Sequence, residues 1–271
     1  MAEMPLSRLV SGGLMAKFSA QQRGFTLIEM SIVLIIIGLI IGGILKGQEL
    51  IESSRQKNIQ SQVDAIRSAV NSFQDRFKAI PGDYSSAVTN INALASNGNG
   101  NGLINAYATG DVLAEMIGII GTTASENLNF FNHLVGAGLL GGASLVDGTA
   151  AAAGFSGGGV VSPLPSAAYP QSGMTAVYGT HQGQTTNGTP ITGIWLRVHT
   201  FNAAAMTNAN AVISPQRAFQ LDTKFDETTP GLGRIRTDFQ TTDAGACGGL
   251  AANTYAPLNT VRNCILYFAL E

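Results

Sequence analysis

Charge is what this chain has least of. Lysine, arginine, aspartate and glutamate make up only 12% of its 271 residues, and the 15 basic side chains form no cluster. That excludes a nucleic-acid groove, which needs a concentrated basic patch. Cysteine is almost missing as well. Cys247 and Cys264 both lie within the last 25 residues. In a reducing compartment they are incidental thiols, and outside the cell they can form a disulfide. What remains is rich in glycine (33 residues) and 45% hydrophobic, enough material for one large domain or two small ones with a real core. Net charge is −2, but it is unevenly spread. Residues 1–24 carry Arg8, Lys17 and Arg23 against Glu3, while the remainder is mildly acidic.

The apolar surplus concentrates in Phe25–Leu45, a 21-residue run broken by one charge, Glu29. A helix needs about 20 apolar residues to cross roughly 30 Å of hydrocarbon. A buried core helix fits poorly, because the run is apolar on all sides instead of along one stripe. An ordinary secretory signal fits poorly too: the run exceeds the usual length and no A-x-A-like cleavage site follows it. Basic residues precede the run, so the positive-inside rule places the N-terminus in the cytoplasm and everything after Leu45 outside. That location turns Cys247 and Cys264 into an expected disulfide.

The string "RGFTLIE" (23–29) followed by this run resembles the processing signal of type IV prepilins and of the pseudopilins of type II secretion. The resemblance covers residues 20–80 and implies a cleaved leader, residues 1–24. It also implies cutting by a membrane peptidase between Gly24 and Phe25, and methylation of the new N-terminal Phe25. Many pilins carry proline just after the apolar run. Lys46 and Gly47 stand there here, and Gly42, Gly43 and Gly47 can supply the same softness.

Glu29 has a physical reading of its own. A carboxylate within hydrocarbon is costly unless paired or protonated. Cleavage after Gly24 creates a cationic amine on Phe25 near the same depth. In a bundle of staggered copies that amine meets Glu29 of a neighbour, offsetting the burial of both and fixing axial register. The bland alternative is a carboxylate close enough to the interface to stay wet.

Beyond the run, Ile59, Val63, Ile66, Val70, Phe73, Phe77 and Ile80 alternate in steps of four and three, a helical stripe. Glu52/Arg55 and Asp64/Arg67 are spaced for pairing on the polar side. Pro81-Gly82-Asp83 stops the helix. One helix therefore extends from Phe25 to about Ala79, ~80 Å at the usual rise. A coiled coil is the rival reading, but the stripe spans barely three heptads and a large body follows.

That body is rich in Gly, Asn, Ala, Ser and Thr. "NGNGNGLI" (97–104) half matches a calcium loop, but Ala108 stands where the bidentate acid belongs, so a solvated Asn-Gly turn fits better. Residues 125–140 read as a short helix with Ser125 as N-cap and His133 structural. "GAGLLG" (136–141) and "GFSGG" (154–158) mimic phosphate-loop and nucleophile motifs, but both lack the strand context those motifs need. Segments 175–180, 191–200, 233–239 and 263–270 read as strands. Ser214-Pro215 opens a helix through "PQRAFQLDTKF". Asp222, Asp226 and Glu227 could bind calcium, as some pseudopilins do in a C-terminal loop, or could pair with Lys224 and Arg234.

The expected fold is α+β. A long N-terminal helix (25–80, with 25–45 transmembrane) packs on a globular head (81–271) bearing an antiparallel β-sheet, and the head lies in the periplasm or outside the cell. The resemblance implies a non-enzymatic filament subunit, held in the inner membrane and its lipid before assembly. Its partners are then identical or related pilin subunits, the prepilin peptidase and an inner-membrane assembly platform. No cofactor is expected beyond a structural calcium ion. A type II secretion pseudopilin is the nearest alternative. An uncleaved membrane-anchored binding protein or hydrolase is a remoter one.

Overall fold

The computed structural model describes residues 24–104, 126–146, 164–181, 190–200, 211–237, 247–249, 254–256, 258 and 260–270. The readings placed on residues 1–23, Ala108, Ser125 and "GFSGG" fall outside them. The chain forms two compact units that meet in sequence at Leu50 and Ile51.

Helix α1 (Leu27–Phe77) runs through that boundary. In the first unit it is apolar on every side and open to the surroundings: Leu34, Leu39 and Leu45 are all more than 60% exposed. This is the one helix among the described residues long and apolar enough to cross a membrane. In the second unit the character changes. Ile59, Val63, Ile66, Val70 and Phe73 are buried, and Phe77 and Ile80 pack against the same core. The stripe read from the sequence is therefore the packed face. Glu52–Arg55 and Asp64–Arg67 pair at 3.8 and 2.8 Å, but the first pair is not on a solvated polar side: Glu52 is largely covered and accepts from the Tyr169 hydroxyl at 2.8 Å. The helix ends where Lys78 adopts a left-handed φ of 54° and bonds back to the Gln74 carbonyl, three residues before Pro81.

The second unit continues with α2 (Ala87–Asn90) and α3 (Glu126–Gly136), then strands β1 (Ser172–His181) and β2 (Ile191–Thr200). Helix α4 (Pro215–Phe225) follows, then β3 (Ile235–Thr237), β4 (Gly248–Gly249), β5 (Thr254–Tyr255) and β6 (Leu266–Ala269). Four strands make one antiparallel sheet in the order β1-β2-β6-β3, and β4 pairs with β5. The period of two sends Ile194, Leu196 and Val198 into the core shared with the α1 stripe. Arg67 adds a tether: its guanidinium donates to the carbonyls of Ala269 (2.9 Å) and Leu270 (3.3 Å) at the end of β6.

The opposite sheet face was not legible as an interior. Arg197 of β2 lies opposite Tyr267 of β6, which lies opposite Arg236 of β3, so a row of Arg, Tyr and Arg crosses the sheet. All three are at most 2% exposed, as are His181, Trp195 and His199. Arg236 stacks over Trp195 and donates to the His181 carbonyl. Burial, aided by the neighbouring Arg236 charge, lowers the His181 pKa to about 3, so its imidazole stays neutral.

Candidate functional site

The chemistry-bearing residues of the first unit sit at the start of α1. Thr26 precedes the first helical residue, and Glu29 lies three residues further on. The Thr26 amide and hydroxyl both donate to one Glu29 carboxylate oxygen at 2.7 Å, and the Glu29 amide donates back to the Thr26 hydroxyl at 3.3 Å. This is a capping box, which satisfies helix donors that otherwise lack partners. Glu29 thus has a partner in its own chain, and none of the ion pairs among the described residues includes it. Phe25, Leu27 and Ile28 around it are 80%, 88% and 66% exposed. Thr26 is the residue that sequence reasoning passed over. Its signal in the sequence is the T-x-x-E spacing at the edge of the apolar run.

One comparison with known proteins decides what this segment is. Residues 19–45 match the prokaryotic N-terminal methylation motif. That is the cleavage and methylation segment of prepilins and pseudopilins. Gly24 and Phe25 lie within the motif, and the Thr26–Glu29 box begins the helix directly behind them. No curated protein and no solved structure matches the chain.

The remaining candidates lie in the second unit. Cys247 and Cys264 form a disulfide, with Cα atoms 5.0 Å apart and a sequence separation of 17. Both are fully buried. The Cys264 backbone is bonded on both sides to Ile213, which anchors the stretch leading into α4 against β6.

Asp222, Asp226 and Glu227 cluster in sequence at the end of α4, but two of them are engaged elsewhere. Asp222 is buried and accepts from the Tyr255 hydroxyl at 3.0 Å. Burial pushes its pKa up to about 6, with the Tyr255 bond pulling the other way and the Asp226 charge adding to the rise. One Asp226 oxygen takes the amides of Arg234 (2.5 Å) and Ile235 (2.6 Å), which starts β3. Gly233 turns there with φ +66°, and any Cβ on it would overlap the Asp226 carboxylate. No ion pair joins Lys224 or Arg234 to these acids; the pairs among the described residues all lie along α1. Among the described residues no group of three or more His, Cys, Asp or Glu side chains is placed to hold a metal ion.

His133 is structural, as its isolation in sequence implied. Its Nδ1 accepts from the Gly82 amide at 2.9 Å, and its Nε2 faces the Ser96 carbonyl at 2.8 Å, so the proton sits on Nε2. Burial lowers its pKa. "GAGLLG" lies at the C-terminal end of α3 and follows no strand.

Proposed function

We infer that the chain is a structural subunit of a type IV pilus-like filament. The observation that carries this is the methylation motif over residues 19–45, whose helix presents an apolar surface that is exposed among the described residues. In this reading a prepilin peptidase cuts after Gly24 and methylates Phe25. The exposed run holds the subunit in the inner membrane, head outward, and then leaves the lipid to pack against neighbouring copies. Heterologous contacts that do not close generate an open filament. No catalytic group takes part.

Glu29 links the two states. Before assembly its carboxylate is held by Thr26, and the box survives cleavage, because the Thr26 nitrogen stays a secondary amide once Phe25 becomes the terminus. In the filament the Phe25 amine of a neighbour approaches the same carboxylate and pairs with it. A subunit lacking that pairing buries an uncompensated amine, which disfavours incorporation. The expected outcome for Glu29→Ala is normal cleavage and methylation with little of the variant in sheared filaments. Normal filament yield would defeat the pairing.

A type II secretion pseudopilin is the second reading, since the same motif serves both classes. The Cys247–Cys264 bridge favours the pilus reading.

A further inference from the structure

The string Asn97-Gly98-Asn99-Gly100-Asn101-Gly102 contains three Asn-Gly steps, in which no side chain shields the following amide nitrogen. That nitrogen can attack the asparagine Cγ. A new N–Cγ bond forms, the bond to the side-chain nitrogen breaks, and ammonia leaves carrying the amide proton. Water then opens the cyclic imide at either carbonyl, leaving aspartate or isoaspartate. Asn99 to Gly102 are exposed, with only ordinary contact at Gly100 and open space around Gly102, whereas Gly98 is packed against the Asp83 backbone. The loop also borders an open cleft of about 580 Å³ lined by Gln74, Lys78, Asp83 and Ser85.

What the fold supplies instead is a partner for each nucleophile. The Gly98 amide donates to the Tyr84 carbonyl at 3.0 Å and the Gly100 amide to the Asp83 carbonyl at 3.0 Å. The Gly102 amide donates to one Asp83 carboxylate oxygen at 2.8 Å, and the Asn101 amide to the other at 3.0 Å. Asp83 itself is only 4% exposed. The Asn101 side-chain oxygen accepts from the Leu103 amide at 2.9 Å, so its Cγ is already turned back over the chain beside Gly102. An amide whose N–H points at a carboxylate aims its nascent lone pair away from Cγ, and the adjacent negative charge disfavours losing that proton.

We propose that residues 97–102 are a latent deamidation site, and that Asp83 is the positioning residue that keeps it closed. The three steps differ in their dependence on it. Asn101-Gly102 relies on the Asp83 side chain, Asn99-Gly100 on its backbone carbonyl, and Asn97-Gly98 on Tyr84.

The test uses the full chain in detergent, aged in mildly alkaline buffer and followed by peptide mass mapping with isoaspartate detection. Folded wild type should convert slowly at all three positions, and much faster in urea. Asp83→Ala should speed conversion at Asn101 on the order of tenfold, the effect of losing one charge-assisted hydrogen bond. Asn97 should change little, and in urea the variant should match wild type. Asp83→Asn keeps the side-chain volume but has a single acceptor oxygen. It should speed Asn101 less, and it decides the matter if the alanine variant does not fold by circular dichroism. An unchanged Asn101 rate in a folded variant overturns the proposal, as does folded wild type converting as fast as in urea. A slower rate would make Asp83 the base that promotes the reaction, and would also overturn it.

Discussion

Removing the Cys247–Cys264 bridge should destabilise the second unit by an amount its loop length sets. The bridged residues are 17 positions apart. Closing a loop of that size removes denatured-state entropy worth about 3 kcal/mol in the chain-entropy model. For a unit of this size that corresponds to a fall in melting temperature of roughly 6–12 °C. The assay compares thermal melts of the oxidised chain, the same chain under dithiothreitol, and Cys247→Ala/Cys264→Ala. Reduction keeps both sulfur atoms in the core, so it isolates the loss of the cross-link. The double alanine variant adds the loss of packing at two fully buried positions, and should melt lower than the reduced protein. Because Cys264 also carries the backbone bonds to Ile213, loss of order should begin in the stretch leading into α4. A reduced protein that melts with the oxidised one would refute the reasoning. It would mean that β6 and the Ile213 bonds hold this region without the bridge.

Two further outcomes follow from single side chains. Arg67→Ala should cost about 2 kcal/mol in urea unfolding, since it releases charged hydrogen bonds to two carbonyls at the end of β6. Asp64→Ala removes a surface pair and one exposed bond from Gln60, and should cost less than about 1 kcal/mol. Equal costs would show that the tether to β6 is not what Arg67 contributes. Asp222 gives a pH signature. Its folded pKa is raised, chiefly by burial, so the folded chain keeps the proton longer than the unfolded one. Its contribution to stability is therefore full below the ordinary value of 3.8 and is lost as pH rises through about 6. Asp222→Asn cannot titrate, so its stability relative to wild type should rise across that window. A flat difference would contradict the buried placement.

Legibility followed periodicity. The α1 stripe from Ile59 to Phe73 was readable because steps of four and three put those residues on one face, and the packing uses that face. Ser214-Pro215 marked the start of α4 to the residue, although the Ser214 side chain makes no capping bond. β1 and β2 were readable from their β-formers. β4 and β5 were not, because a Gly-Gly pair facing Thr-Tyr carries no strand signal. Charge in a strand usually marks a wet face, and Arg197 and Arg236 break that expectation by being buried on the second face of the sheet. At the helix start, Glu29 announced itself by its cost and Gly24–Phe25 by their motif. The Thr26 box is a local T-x-x-E pattern, masked by the apolar run that it opens. The grip of Asp83 on residues 18 and 19 positions away was beyond any local pattern.

The central claim is that the segment over residues 19–45 is a processing signal whose product assembles. Mass spectrometry of the mature N-terminus, on protein recovered from sheared filaments, addresses it most directly. The account predicts a chain that begins at a methylated Phe25. A chain that begins anywhere else, or an unmodified Phe25, would contradict it.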